Sequence, residues 1–333
     1  MAPTQTIEDW VEVFNELYGD VDKNRQPDEL WIAATAHFTT MGEAIRRYDF
    51  DDLLESATHA FCWMCSFVLG CQRAKGSVFE LSETFSDIVA LKYPRICGHC
   101  QKVPCGCAPV AMDAATDKSA LYADLLREKN QPHDWEQYTT VTWREAFLHI
   151  YGQQTHVLPL EAIGFHFLEE AGEQLTAIRA LLQLREAATH QIEGLDAAFL
   201  HNLTSLDDII EQHNIYYHEY LSDNRDINYA SAEPAMIRAR LVKAKKDLVI
   251  EFADTFSWFC SVLNKVGLIA SNCNQEDCQY AIEDDDFFEQ RLIKEYMEND
   301  EPICPECRRC PCECVFFESP PEHSDTAPSA VEG

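Results

Sequence analysis

Basic side chains are scarce in this 333-residue chain, which carries 26 Lys and Arg against 57 Asp and Glu, a formal net charge of −31. A sequence-independent grip on phosphate backbones needs clustered Lys and Arg, so this balance argues against a nucleic-acid-binding protein. The same excess of acids favours a protein that recruits cations to an acidic site. We therefore expect no nucleic-acid partner.

Long apolar runs are also missing, because no stretch approaches the roughly 20 apolar residues that a membrane span requires. Residues Met1 to Asp9 contain neither the basic nor the apolar segment of a secretory signal. We therefore expect a cytoplasmic protein without a membrane partner. In such a reducing compartment the 15 cysteines favour metal binding over disulfide bonds.

Four blocks of the sequence occur twice in the same order. The pattern W-x3-F-x3-Y-G begins at Trp10 and returns at Trp143, an offset of 133. A block from Asp52 to Ser66 is echoed from Asp247 to Ser261, at an offset of 195. The other two are a cysteine pattern and the block His37-Phe38 with Gly42-Glu43, echoed by His166-Phe167 with Gly172-Glu173. Four blocks in series predict an internal duplication, and the growing offset places an insert in the second copy.

Helical periodicity dominates both copies, whereas strand alternation is scarce. In the second copy an apolar stripe recurs at helical spacing from Phe252 to Leu263. The segment Ala162 to Leu184 has no proline and is rich in Glu, Ala, Leu and Gln, which favours a long helix. We predict an all-α fold in which two tandem helical bundle repeats pack as a pseudo-dimer.

The repeat and the shifts in composition predict the domain boundaries. The predicted segments are a first repeat at 1–110, a linker at 111–140 with one short helix from Ser119 to Lys129, a second repeat at 141–317 with a long helical insert at 176–246, and a tail at 318–333. The tail is rich in Glu, Pro, Ser and Asp, so we expect it to be acidic and disordered. Each repeat is predicted to end in a small zinc knuckle, at 97–107 and at 304–314.

The knuckles are predicted from the pattern C-x2-C-x4-C-x-C, which occurs twice at an offset of 207. Four thiolates at such spacings suit tetrahedral Zn²⁺, and a closed four-cysteine site has no open position for catalysis. The predicted ligands of these two structural zinc sites are Cys97, Cys100, Cys105 and Cys107 in the first, and Cys304, Cys307, Cys312 and Cys314 in the second. Iron–sulfur ligation is the alternative, and the surplus Cys310 could compete as a ligand.

Five carboxylates of the second repeat also lie at helical spacing. Glu173 shares a helix face with Glu169 and Glu170, while Glu251 and Asp254 share a face of a later, otherwise apolar and aromatic helix. If these helices pack antiparallel, the acids converge and raise their own pKa values unless a hard cation such as Mg²⁺ neutralises them. A solvated acidic face is the alternative in so acidic a chain. The high cost of burying unpaired acids in an apolar helix favours the metal.

The arrangement E-E-x-x-E followed by E-x-x-D resembles the all-α nucleoside triphosphate pyrophosphohydrolases, the MazG-like and dimeric dUTPase-like group. The resemblance covers Ala162 to Leu184 and Asp247 to Val266, and extends to Gly42–Arg47 and Asp51–Val68. It implies a MazG-like fold for both repeats and an enzyme that uses Mg²⁺ or Mn²⁺ to convert an NTP or dNTP to the monophosphate and pyrophosphate. The residues that would bind the metal and carry catalysis are Glu169, Glu170, Glu173, Glu251 and Asp254. The insert makes the two motifs more widely separated than the family's usual hairpin.

The first repeat is predicted to be degenerate. Opposite Glu169, Glu170, Glu251 and Asp254 it has Thr39, Thr40, Ser56 and His59. In the second repeat the candidates for substrate binding are Arg179, Lys243, Lys246 and His166, with core packing as the alternative for His166. We expect a nucleotide substrate and leave open a homo-oligomer or a protein partner. A non-catalytic module that keeps the fold to bind a nucleotide or a protein is the alternative function.

Overall fold

The computed structural model describes residues 5–107, 128–129, 134–191, 197–221, 234–271 and 286–314. Within these ranges the chain is mostly helical, which confirms the predicted all-α class. The helices are α1 (Ile7–Asp22), α2 (Pro27–Arg47), α3 (Phe50–Arg73), α4 (Phe85–Lys92), α5 (Thr140–Val157), α6 (Leu160–Gln191), α7 (Ala197–His201), α8 (Leu206–Tyr216), α9 (Pro234–Ser271) and α10 (Phe287–Tyr296). Shorter elements are a 3-10 turn (Trp135–Gln137), a π-helical turn (Tyr217–Leu221) and a hairpin of β1 (Met297–Glu298) and β2 (Glu301–Pro302).

Side-chain caps determine where several helices begin. The Thr6 hydroxyl accepts a hydrogen bond from the Asp9 N–H and the Asp9 carboxylate accepts one from the Thr6 N–H, a capping box that starts α1. Thr84 caps α4 and Thr139 caps α5 without a capping box, and each hydroxyl accepts a hydrogen bond from an N–H that has no partner within its helix. Thr6 and Thr139 also form an isolated antiparallel bridge. The starts of α1 and α5 are therefore joined.

One hydrophobic core is shared by the N-terminal and C-terminal halves of the chain. The ring of Phe61 on α3 lies 6.2 Å from that of Phe14 on α1 and 6.4 Å from that of Phe259 on α9, measured between centroids. Phe38 on α2 meets Phe167 on α6 at 5.0 Å. All five side chains are buried. The apolar stripes of helices far apart in sequence thus face one interior, and α6 packs along both α2 and α9.

Polar contacts tie part of the predicted insert to the N-terminal half. Lys245 on α9 is fully buried, and its Nζ donates to the carbonyl oxygens of Glu80 and Leu203 at 2.8 and 2.7 Å. The Ser82 N–H donates to the carbonyl of Thr204 at 2.9 Å. The loop before α8 therefore lies against the segment that connects α3 to α4.

Some predicted segments lie outside the described residues. These are the linker helix Ser119 to Lys129, apart from its last two residues, and the tail at 318–333. Among the helices that the structure does describe, none combines the length and the apolar character needed to cross a membrane.

Candidate functional site

Helices α6 and α9 bring together three of the five predicted acids, Glu170, Glu173 and Glu251. Each offers one carboxylate oxygen, and these three atoms lie within 4.8 Å of one another. Glu170 and Glu173 are three residues apart on α6 and so share a face. The two helices run antiparallel. His166 precedes Glu170 on α6, and it stacks on Trp258, which follows Glu251 on α9, with ring centroids 4.7 Å apart. We call these three residues the glutamate cluster.

Burial raises the pKa of both Glu170 and Glu251 to about 8. The charge of Asp254 adds to both shifts, whereas the charge of Lys92 opposes them. Glu170 and Glu251 are half-buried and Glu173 is exposed, so the glutamate cluster is open to solvent on the Glu173 side. A donor set made only of oxygen atoms fits Mg²⁺ or Mn²⁺ and does not suit a soft metal ion.

The other two predicted acids, Asp254 and Glu169, are placed differently. The Asp254 carboxylate is buried and accepts hydrogen bonds from Lys92 Nζ and Tyr93 Oη. Its oxygens do not belong to the set that the three glutamates form. Glu169 faces solvent, with its carboxylate 3.2 Å from the Nδ1 of His166. Asp254 is thus held beside the cluster by the N-terminal half, and Glu169 does not belong to the cluster.

Three residues near the cluster carry no pattern that identifies them in the sequence. Lys92 and Tyr93, at the end of α4, are separated from Asp254 by 162 and 161 positions. Gln174 follows Glu173 on α6, is fully buried, and has no hydrogen-bond partner for either amide atom within the part of the chain that the structure describes. An unpaired buried amide is costly. Nothing in the surrounding apolar stripe predicts it.

The predicted substrate-binding residues lie on the same two helices. Lys243 and Lys246 on α9 both pair with Asp247, the Lys246 Nζ at 3.6 Å. Arg179 on α6 is exposed. His166 is half-buried through its ring stacking. Contact between any of these side chains and a nucleotide stays a prediction.

Two four-cysteine clusters could each hold a zinc ion. The first cluster is Cys97, Cys100, Cys105 and Cys107, and the second is Cys304, Cys307, Cys312 and Cys314. The Sγ–Sγ contacts within them measure 3.3–4.0 Å. A tetrahedral ion with Zn–S bonds near 2.3 Å places its ligands about 3.8 Å apart, so the sulfur atoms fit zinc. Cys310 is exposed and lies outside the second cluster.

The two cysteine clusters lie on two separate loops that have the same backbone hydrogen bonds. The Gln101 N–H donates to the carbonyl of Cys97, and the Arg308 N–H donates to that of Cys304, both at 2.9 Å. Backbone N–H groups also point at the sulfur atoms. One of them donates to Cys307 Sγ at 3.4 Å and lowers the pKa of that thiol to about 6. At Cys307 the loop therefore favours the thiolate, which is the form that binds a metal. At Cys314 burial instead raises the pKa of the thiol, to about 11.

Each cysteine cluster packs against a helix of the opposite half. The Cys105 N–H donates to the carbonyl of Ile150 on α5, and the Cys312 N–H donates to the carbonyl of Leu17 on α1, both at 2.8 Å. The tyrosines that follow these two carbonyls donate to cluster sulfur atoms at 3.7 Å, Tyr151 to Cys97 and Tyr18 to Cys304. The cluster of the N-terminal half is thus hydrogen-bonded to the C-terminal half, and the cluster of the C-terminal half to the N-terminal half.

The described residues therefore offer two kinds of candidate metal site, one with oxygen donors and one with sulfur donors. The first suits a hard divalent cation and the second suits Zn²⁺. No protein-family model, curated protein or solved structure matches this chain, so its resemblance to the all-α pyrophosphohydrolases stays a prediction.

Proposed function

We propose that the C-terminal half binds Mg²⁺ or Mn²⁺ through Glu170, Glu173 and Glu251 and hydrolyses an NTP or dNTP to the monophosphate and pyrophosphate. The observation that carries the proposal is the convergence of three carboxylates within 4.8 Å across two helices. A hard cation neutralises such a cluster, keeps several waters and bridges to phosphate oxygens. The resemblance of the two acidic motifs to the pyrophosphohydrolases supplies the reaction.

The protein's own groups then have distinct roles. When bound, the cation would lower the pKa of a water molecule and offset charge on the phosphates. The glutamates hold it at the solvent-facing side of α6 and α9. A carboxylate oxygen of Glu170 or Glu251 that does not bind the cation would accept the proton of that water. Asp254 lies beside the ligands and accepts hydrogen bonds from Lys92 and Tyr93 of the N-terminal half.

We also propose that the two halves are tandem repeats packed as a pseudo-dimer. Paired contacts support this, because the bond from Cys105 to Ile150 has a counterpart in the bond from Cys312 to Leu17. Leu17 and Ile150 are 133 positions apart and the two cysteines 207, which are the offsets of the repeated sequence blocks. The closed four-cysteine sets further support a structural role for zinc in both halves.

A second pair of contacts supports both the repeat and a degenerate first copy. Tyr93 donates to Asp254, and Tyr296 Oη lies 2.8 Å from Nδ1 of His59, the residue opposite Asp254 in the repeat. Tyr93 directly follows α4 and Tyr296 is the last residue of α10, and each of these helices precedes a cysteine cluster. Each tyrosine contacts a residue of the opposite half of the chain. The N-terminal half therefore keeps the contact but has an imidazole where the C-terminal half has an acid.

The enzymatic proposal is tested by pyrophosphate release from a panel of NTPs and dNTPs, using the zinc-loaded chain with Mg²⁺ or Mn²⁺. Glu170→Gln removes a ligand, and we expect it to lower kcat about 100-fold or more. Glu169→Gln changes the adjacent residue, whose side chain faces solvent, and should leave kcat within about twofold. Equal losses in both variants, or no pyrophosphate from any nucleotide with the wild type, would refute the enzyme.

A second candidate is a module that binds a nucleotide or a protein partner without turnover. The observation that favours it is the engagement of Asp254 by Lys92 and Tyr93, which removes the fourth acid from the donor set. In that case nucleotide would bind to the wild type without pyrophosphate release. Calorimetric titration with the same panel distinguishes the two functions.

A further inference from the structure

Lys92 brings a positive charge from the N-terminal half to the glutamate cluster of the C-terminal half. It is the last residue of α4, its side chain is 10% exposed, and its Nζ pairs with the Asp254 carboxylate. Its charge also opposes the raised pKa values of Glu170 and Glu251, so its field reaches two of the three glutamates. Charges interact strongly at such positions because little water screens them.

The position of Lys92 is fixed by its neighbours. Tyr93, the next residue, is buried and donates to the same carboxylate of Asp254. Gly98, in the loop of the first cysteine cluster, lies so close that a Cβ at this position would be 2.9 Å from both the Cγ and the carbonyl oxygen of Lys92. Burial and these contacts therefore hold the Lys92 side chain beside Asp254. Its charge is a permanent part of the site.

We infer that Lys92 is a built-in counter-cation that weakens the binding of a free divalent ion to the glutamate cluster and favours the ion as a complex with a polyphosphate. A bare dication adds two positive charges beside the fixed ammonium, which repels it. A metal–triphosphate complex arrives with net negative charge, and the same ammonium attracts it. The inference rests on the proposed function for the class of ligand. It makes Lys92 a residue that selects the metal–triphosphate complex.

The first experiment measures binding of Mn²⁺ alone to the full zinc-loaded chain, from the EPR signal of the unbound ion. We expect Lys92→Met to bind Mn²⁺ about tenfold more tightly than the wild type. Lys23→Met is the control, because Lys23 follows α1, pairs with Asp20 at 3.0 Å and is 58% exposed. It should change the affinity by less than about twofold. Glu251→Gln combined with Lys92→Met should abolish the gain.

The second experiment measures calorimetric binding of preformed Mn²⁺–tripolyphosphate, a probe that does not depend on the base or sugar. Here Lys92→Met should bind about tenfold more weakly than the wild type. Lys92→Arg keeps the charge and should match the wild type in both measurements. Lys92→Gln, which can still donate to Asp254, replaces the methionine variant if circular dichroism shows that the latter does not fold.

Free Mn²⁺ that binds Lys92→Met no more tightly than the wild type would overturn the inference, as would the absence of Mn²⁺ binding by both proteins. Failure of the enzymatic proposal is distinguishable from this. Tighter Mn²⁺ binding by Lys92→Met, together with no pyrophosphate release by the wild type, would support the counter-cation and remove only the hydrolysis.

Discussion

Lys245 places an ammonium group in the interior with the carbonyl oxygens of Glu80 and Leu203 as its partners. Burial lowers the pKa of this amine from 10.5 to about 8. As the pH rises, the folded chain therefore loses this proton before the unfolded chain does. Between the two pKa values the unfolded chain binds more protons, so the free energy of unfolding gains a contribution that increases with pH.

We expect that contribution to be absent from Lys245→Met. The free energy of unfolding of the wild type minus that of the variant should rise by about 3 kcal/mol from pH 8 to pH 10.5, the interval between the two pKa values. Urea unfolding followed by circular dichroism at a series of pH values measures it. Taking the difference cancels the titration of tyrosines and cysteines that both proteins share. A flat difference would show that Lys245 keeps its ordinary pKa in the fold.

The glutamate cluster predicts the opposite dependence on pH. Because the pKa of Glu251 is raised from 4.5 to about 8, the folded chain binds more protons than the unfolded chain between these values. The free energy of unfolding therefore falls as the pH rises through this range. Without added divalent cations, the stability of Glu251→Gln relative to the wild type should increase by on the order of 3–4 kcal/mol between pH 5 and pH 8. Glu169→Gln, at an exposed position, should show no such change, and a relative stability of Glu251→Gln that does not increase over this range would contradict the buried-acid account.

At the scale of elements, the sequence predicts what is encoded locally. The three-residue spacing of Glu170 and Glu173 places them on one face of α6, and the cysteine spacing predicts both clusters, because helix geometry and tight loops act over a few residues. The contacts of Asp254 with Lys92 and Tyr93 span about half the chain and depend on how α4 docks against α9. No local pattern specifies that docking.

Because each cysteine cluster contacts the opposite half, removing one cluster at a time is a test of its role, and each variant is the control for the other. Replacing Cys97 and Cys100 by serine should lower the zinc content from two ions per chain to one, and so should replacing Cys304 and Cys307, since each pair belongs to a separate four-cysteine set. Both variants should lose thermal stability, because structural zinc contributes to folding. Zinc analysis of the purified proteins and thermal unfolding measure these losses.

The two variants should differ at the glutamate cluster. The loop of the first cysteine cluster contacts Lys92 through Gly98, whereas the second contacts α1 through Leu17. Loss of the first cluster should therefore change the Mn²⁺ affinity by about fivefold or more, and loss of the second by less than about twofold. Equal changes in the two variants would show that zinc affects the site only through general stability.

At the scale of the whole molecule, the repeated blocks predict two units but not how closely they join. The predicted boundary between a first repeat at 1–110 and a second at 141–317 follows the linear sequence. In the fold, aromatic rings from both sides of that boundary contact Phe61. Each cysteine cluster packs against a helix of the half to which it does not belong. An apolar residue at helical spacing shows that it faces a core, without showing which helices line the other side. How much of the hydrophobic core the two halves share therefore depends on how the helices pack, and the sequence pattern alone does not predict it.

A shared core predicts that the two halves unfold together. Phe61 is fully buried, and its ring contacts Phe14 from the N-terminal half and Phe259 and Phe288 from the C-terminal half. Phe61→Ala should lower the free energy of unfolding by about 3–5 kcal/mol while the zinc-loaded chain keeps a single transition. Phe165→Ala, at a side chain that is 69% exposed, should cost less than about 0.5 kcal/mol. Scanning calorimetry of the three proteins measures this. Two separate transitions, of which Phe61→Ala shifts only the one belonging to the N-terminal half, would mean that each half is stable on its own and that the rings shared between them contribute little.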